Sequence, residues 1–74
     1  MISAAQCRGA RAMLSLNQGE LADRARVARQ TVVDFERGAR TPYANNLLAI
    51  RTALEAAGVE FTNGDAPGVR LRQG

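Results

Sequence analysis

Apolar residues recur at helical spacing along four stretches of this chain and alternate with polar residues in two short stretches near its end. Spacings of three and four residues predict amphipathic helices, and strict alternation predicts strands. The predicted helices cover residues 3–16, 18–25, 28–37 and 42–57, and the predicted strands cover residues 59–62 and 69–72. The pattern therefore predicts a mostly α fold, with a four-helix domain at residues 1–58 and a β-hairpin at residues 59–74.

Two capping patterns support the starts of the first two helices. Ser3 with Gln6, and Asn17 with Glu20, have the spacing of a capping box, in which each side chain bonds to the other residue's backbone N–H. For the fourth helix, Thr41 as N-cap and proline at position 42 predict the start.

The pattern of the last sixteen residues predicts a hairpin that would not be stable without packing on another element. A cluster of turn-forming residues at 63–68 separates the two strands. An isolated two-stranded hairpin is barely stable in water, so we expect it to pack on the helices or on another chain. Its apolar residues are Val59, Phe61, Val69 and Leu71, and together with unpaired strand edges they favour pairing across a twofold axis.

The stretch from Asn17 to Gly38 predicts two short helices joined by a tight turn, with the outer face of the second helix exposed. This stretch resembles the helix-turn-helix of the Cro and phage-repressor family, also called the XRE family. The residues that carry the resemblance are Gln18, Leu21, Ala22, Val27, Arg29, Gln30, Thr31, Val32, Phe35, Glu36, Arg37 and Gly38. With the flanking helices it extends over about residues 3–57.

The resemblance implies a small lambda-repressor-like domain that binds double-stranded DNA as a sequence-specific transcriptional regulator, and we expect it to act as a repressor. Helix 28–37 would then read the major groove. One module of this size contacts only a few base pairs, so we expect a homodimer on a palindromic site. The alternatives are a helical domain in which the motif is only scaffold, and a protein-binding module, such as an antitoxin-like component, with DNA binding secondary.

Matching the family position by position assigns roles to the residues of the motif. The implied base contacts are Arg29, Gln30, Val33 and Asp34, and the implied phosphate contacts are Gln18, Thr31, Arg37 and Arg40. Arginine reads guanine and glutamine reads adenine, each through two hydrogen bonds. An aspartate either accepts from cytosine N4 or orients a neighbour, and we favour the orientation of Gln30 or Arg37 by Asp34. The resemblance also implies an ion pair between Arg11 and Glu36, against the alternative of two separate surface charges.

Three residues depart from the family pattern. Arg26 occupies the turn position where the family usually has glycine, and a left-handed backbone there costs about 1–2 kcal/mol. Ala28 replaces the usual serine or threonine, which removes a side-chain cap of about 1 kcal/mol. Gly19 weakens the first turn of the second helix.

Composition narrows the classes of function further. All ten basic residues are arginine, the net charge is +3, and residues 1–57 carry the whole excess. Arginine matches phosphate and guanine edges, although a codon bias explains the absence of lysine equally well. The chain has no histidine, no paired carboxylates and no metal-ligand cluster, so we expect neither an enzyme nor a bound cofactor. Cys7 is a single cysteine, which favours the cytoplasm, and no apolar run is long enough for a membrane span.

Overall fold

The computed structural model describes residues 1–62 and 67–72 of the chain. In these residues four helices precede an antiparallel pair of strands, which confirms the predicted mostly α fold with a C-terminal hairpin. The elements are α1 (Ala4–Leu14), α2 (Gln18–Ala25), α3 (Arg29–Glu36), α4 (Ala44–Ala56), β1 (Val59–Thr62) and β2 (Gly68–Leu71). The bounds of α2 and β1 coincide with the predicted ones. Most of the turn predicted at residues 63–68 lies outside the described residues.

Both predicted capping boxes are present. The Ser3 hydroxyl accepts from the Gln6 N–H at 3.1 Å, and the Gln6 side chain accepts from the Ser3 N–H at 2.8 Å. At α2, Asn17 Oδ1 accepts from the Glu20 N–H at 2.7 Å, and Glu20 Oε1 accepts from the Asn17 N–H at 2.9 Å. Each box satisfies two backbone donors that have no partner within the helix. The helix α3 has no side-chain cap at Ala28, as its sequence predicts.

The predicted start of α4 is wrong by two residues. The helix begins at Ala44 rather than at Pro42, and its N-cap is Tyr43, whose ψ of 150° keeps the chain extended and whose side chain makes no capping bond. Proline fixes its own φ and extends the residue before it, but it does not force the residue after it into the helix. The apolar stripe of α4 sets the phase of the helix and leaves its first residue undetermined.

The core lies where the four helices and β1 meet. Its largest fully buried side chains are Leu21, Ile50, Leu54, Val32, Val59 and Cys7. The apolar stripe of α4 is buried at Leu47, Ile50 and Leu54, whereas Leu48 is 52% exposed. None of the helices in the part of the chain that the structure describes is long and apolar enough to cross a membrane.

The hairpin packs on helices of its own chain. Its strands pair with Val59 opposite Leu71 and Phe61 opposite Val69, and β2 contacts α1 while β1 contacts α4. The buried Gln6 side chain also joins the two ends of the strands, because its Nε2 donates to the Thr62 carbonyl at 3.2 Å and to the Gly68 carbonyl at 3.0 Å. One glutamine therefore caps α1 and binds the hairpin to it.

The turn between α2 and α3 has the left-handed backbone that its sequence raised as a source of strain. Arg26 has φ 57° and ψ 43°, and it ends α2 as its C-cap. The following N–H, from Val27, donates to the Ala22 carbonyl at 3.0 Å and closes the turn. A residue with a Cβ pays a steric cost in this conformation, so the sequence retains strain at the junction of the helix-turn-helix.

Replacing Arg26 with glycine should therefore stabilise the domain by up to about 1 kcal/mol, since the steric relief exceeds the entropy lost by glycine. Thermal unfolding followed by circular dichroism should show a rise of a few degrees, because about 1 kcal/mol moves the midpoint of a small domain by about 4–8 °C. The matched control is Arg24→Gly, which removes the same charge inside α2 and should destabilise by about 1 kcal/mol. A loss of stability in both variants would contradict a strained turn.

Candidate nucleic-acid interface

The helix α3 has a buried face and an outer face. The buried side chains are Val32, Phe35 and Glu36. The outer face carries Arg29 and Gln30 in the first turn, both exposed, with the half-buried Val33 and Asp34 one turn further on and the exposed Arg37 at the end. The structure thus brings all four residues predicted to contact bases onto one surface. The hydrogen bond and the ion pair that the structure gives for these side chains join Asp34 to Gln30 and to Arg37, on the same face.

The residues predicted to contact phosphates are more scattered. Arg37 and Arg40 are exposed, while Gln18 and Thr31 are half-buried. Gln18 begins α2, and it lines a shallow depression together with Arg11, Asn17, Gly19 and Arg29. A Cβ at Gly19 would lie 3.8 Å from Cδ and 3.9 Å from Nε of Arg29, so the Arg29 side chain extends across the start of α2.

A second depression lies between α3 and the loop that leads to α4. It is lined by Gln30, Thr31, Asp34, Arg40, Thr41, Pro42, Tyr43 and Asn46. Tyr43 is 82% exposed and forms part of the rim beside Gln30. Tyr43 was not predicted as part of the interface, because nothing in its immediate sequence distinguishes an exposed tyrosine from a core one.

Behind the outer face, Glu36 is the centre of a buried hydrogen-bond network. Arg11 donates from Nε to Oε2 and from Nη2 to Oε1, both at 2.7 Å, so the two groups form a bidentate ion pair between α1 and α3. The Glu36 side chain is 2% exposed and that of Arg11 is 20% exposed. Gln18 Nε2 donates to Oε1 at 3.0 Å, which ties the start of α2 to the same carboxylate.

Cys7 is the fourth side chain that bears on this network. Its Sγ donates to Glu36 Oε2 at 3.1 Å, and burial, together with the neighbouring carboxylate, raises the pKa of the Cys7 thiol far above its ordinary value. The thiol is therefore a neutral donor. The sequence around Cys7 gives no sign of this hydrogen bond, because Glu36 lies 29 residues away along the chain.

The network also sets the charge of Glu36. Burial opposes its ionisation, but hydrogen bonds from Arg11, Cys7 and Gln18 outweigh this effect and hold the pKa of the Glu36 carboxyl below its ordinary value. Arg8 Nη1 donates to the Glu36 main-chain carbonyl at the end of α3. Two arginines of α1 thereby fix the C-terminal end of α3, so its outer face is presented on a rigid support.

The surface that results is basic and polar. Asp34 is the acid on the outer face of α3, and its carboxylate pairs with Arg37 Nη2 at 3.2 Å. Among the described residues, no group of three or more histidine, cysteine or acidic side chains is arranged to hold a metal ion. Guanidinium and amide groups that project from one end of an exposed helix are suited to hydrogen bonds with base edges and phosphates.

The comparison with protein families agrees with this geometry. The sequence profile of the helix-turn-helix family matches residues 8–60, which is 53 of the 74 residues, and the chain belongs to this family. The match supports the Cro and repressor-like, or XRE, type that the residues of the motif indicated. It makes the chain a DNA-binding domain of the transcription-regulator type, in a family that is not typically enzymatic. No curated protein matches the chain.

Proposed function

We propose that the chain is a sequence-specific DNA-binding repressor that inserts α3 into the major groove and occludes a promoter. The observation that carries this proposal is the placement of Arg29 and Gln30, which are both exposed at the N-terminal end of α3. In helix-turn-helix proteins that end of the second helix contacts the base edges. Arginine there selects guanine and glutamine selects adenine.

Phosphate contacts on both sides of α3 would hold it in the groove. Arg37 and Arg40 follow its C-terminal end, and Gln18 with the free backbone N–H groups of α2 lies beside its N-terminal end. Gln18 Nε2 carries two N–H bonds, and the bond to Glu36 leaves the second available for a phosphate oxygen. Thr31 lies in the depression that also contains Arg40, which supports a phosphate contact there.

The test of this proposal is the affinity for duplex DNA at two salt concentrations. Each phosphate that an arginine neutralises releases counterions, so Arg37 and Arg40 in both chains of a dimer, four charged contacts in all, predict a loss of about a hundredfold between about 50 and about 200 mM salt. Sequencing of duplexes retained from a randomised pool should in addition recover a preferred site. An affinity that is independent of salt, or a retained pool with no preferred sequence, would reject a sequence-specific regulator.

The bound form that we propose is a homodimer joined through the hairpin. Leu71 is 51% exposed and Phe61 half-buried, while β1 and β2 each pair on one edge with the other strand. Val59 is only 1% exposed, and Phe61 and Val69 pack partly against the core of their own chain, so Leu71 is the hairpin's main exposed apolar side chain for a partner. Sedimentation should give a dimer at about micromolar concentration, with Leu71→Glu shifting it to monomer and Leu48→Glu serving as control. A monomer in the unmodified protein would reject this arrangement.

A protein-binding module of the antitoxin type is the second candidate. The observation that favours it is the exposed Leu48, which lies in a mostly apolar depression with Ala25, Ala49, Ala53 and Ala56. Exposed apolar patches mark contact surfaces when they are large. Such a module would bind DNA weakly or without preference, so the selection from the randomised pool distinguishes it from a repressor.

A further inference from the structure

Asp34 makes one hydrogen bond and one ion pair with its neighbours on the outer face of α3. Its Oδ1 accepts a hydrogen bond from Gln30 Nε2 at 2.8 Å, one turn earlier, and lies 3.2 Å from Arg37 Nη2 in an ion pair, one turn later. The Asp34 side chain is 21% exposed, whereas that of Arg37 is 66% exposed. The carboxylate therefore lies between a residue proposed to read a base and a residue proposed to hold a phosphate.

The bond to Asp34 determines which way the Gln30 amide points. A glutamine amide presents an acceptor oxygen on one side and two N–H donors on the other, and rotation by half a turn exchanges the two sides. An ionised carboxylate can only accept hydrogen bonds, so it pairs with the nitrogen and not with the oxygen of the amide. The Gln30 nitrogen is thus held towards Asp34, and one N–H and the carbonyl oxygen remain for a ligand.

One donor beside one acceptor is the arrangement that adenine requires. In the major groove adenine offers N7 as an acceptor and its N6 amino group as a donor, whereas guanine offers two acceptors, N7 and O6. A freely rotating amide can turn both of its N–H bonds towards guanine. An amide held by a carboxylate cannot do so without losing its bond to Asp34.

We propose that Asp34 is a positioning residue that restricts Gln30 to adenine and so determines one base pair of the site. The inference rests on the proposed function of α3 as a base-reading helix. Its charge opposes binding, because a carboxylate beside DNA repels phosphates, and pairing with Arg37 offsets part of that repulsion. Asp34 should therefore weaken the total affinity for DNA and increase the preference for one base. A residue that only supports the fold would not have these two opposite effects.

The experiment measures base preference and affinity separately, in the full chain, by selection from a randomised duplex pool followed by titration of the recovered site. Asp34→Ala should reduce the preference for adenine over guanine about tenfold at one position, because the freed Gln30 amide can then also donate to guanine, and about tenfold is within the discrimination that one bidentate contact provides. It should at the same time leave unchanged or raise the affinity for random DNA. Gln30→Ala should remove the preference at the same position, and the double variant should behave like Gln30→Ala alone.

Two conservative substitutions separate orientation from charge and shape. Asp34→Glu keeps a group that only accepts, so it should retain much of the adenine preference. Asp34→Asn has nearly the same shape but an amide, which can pair with either side of Gln30, so it should lose the preference as Asp34→Ala does. Asp23→Ala removes one acid from the exposed surface of α2 and should leave the preference unchanged.

The outcomes distinguish this inference from the proposal on which it rests. If the unmodified protein selects a site and Asp34→Ala keeps the full adenine preference, the positioning role is wrong and the regulator assignment stands. If Asp34→Ala alters positions that Gln30→Ala does not affect, the role is also wrong. If the unmodified protein selects no sequence, both proposals are rejected together. Circular dichroism spectra that match the unmodified protein establish that each variant is folded.

Discussion

Replacing Arg11 with methionine should lower the free energy of unfolding by about 3 kcal/mol, the lower end of the cost of breaking a buried ion pair. The variant leaves the Glu36 carboxylate, whose side chain is 2% exposed, without two of its four hydrogen bonds. The lower end applies because Arg11 is 20% exposed and water can partly replace it. Denaturation in urea at neutral pH measures the loss.

The same substitution elsewhere on the surface gives a matched control. Arg51 pairs with Glu55 at 3.2 Å along α4, and the two side chains are 31% and 40% exposed. Exposed pairs of this spacing contribute about 0.3–0.5 kcal/mol, so Arg51→Met should change stability little. Similar losses in the two variants would show that the Arg11–Glu36 pair is as well solvated as an ordinary surface pair.

The dependence of this loss on pH identifies its cause. Because the pKa of Glu36 is lowered in the folded protein, its contribution to stability is complete above its ordinary pKa and disappears as the pH falls through the folded value. Without Arg11, burial remains and ionisation becomes unfavourable, so protonation should stabilise the variant instead. The difference between the two proteins should therefore be largest near pH 7, begin to shrink above the ordinary pKa of Glu36 as the carboxyl of the variant is protonated, and shrink further as the pH falls through the lowered pKa of Glu36 in the unmodified protein.

Local sequence patterns were sufficient to predict much of this fold. Ser3 and Asn17 set the starts of α1 and α2 because a capping box is complete within four residues. The end of α1 was harder to predict. Ser15 ends the helix with φ 56°, a left-handed conformation that its sequence does not require. The start of α4 was missed for the related reason that Tyr43 stays extended without any side-chain bond.

Local sequence patterns could not predict contacts between residues that are distant in the chain. Gln6 was predicted as a capping residue, but its bonds to the Thr62 and Gly68 carbonyls depend on where the hairpin packs. Gln18 and Cys7 converge on Glu36 for the same reason. The pairing of Arg11 with Glu36 was reached only through the resemblance, because it joins residues 25 apart in the sequence.

The sequence predicted which residues form the outer face of α3, but not how their side chains pair. Helical periodicity alone places Arg29, Gln30, Val33, Asp34 and Arg37 on the side opposite the core. Asp34 was expected to orient Gln30 or Arg37, and in the structure one oxygen accepts a hydrogen bond from Gln30 and forms an ion pair with Arg37. Side-chain rotamers decide such a choice, and periodicity carries no information about rotamers.

Replacing Arg29 with alanine should reduce the preference for one base pair by about 1–3 kcal/mol, the value of a bidentate contact with guanine. The structure makes this a sharp test, because Arg29 extends over Gly19 at the start of α2, where a phosphate is also proposed to bind. The matched control is Arg40→Ala, which removes the same charge from the exposed loop beyond α3. It should weaken all sequences alike and lower the salt slope by about 1.

The two substitutions should therefore have different kinds of effect on binding when each variant is tested against the selected site and against random DNA. Loss of discrimination between these two duplexes is expected for Arg29→Ala alone. If Arg29→Ala weakens both duplexes equally and lowers the salt slope as Arg40→Ala does, Arg29 binds phosphate together with Gln18. Base recognition would then depend on Gln30 and Val33, and the site would read fewer base pairs than we propose.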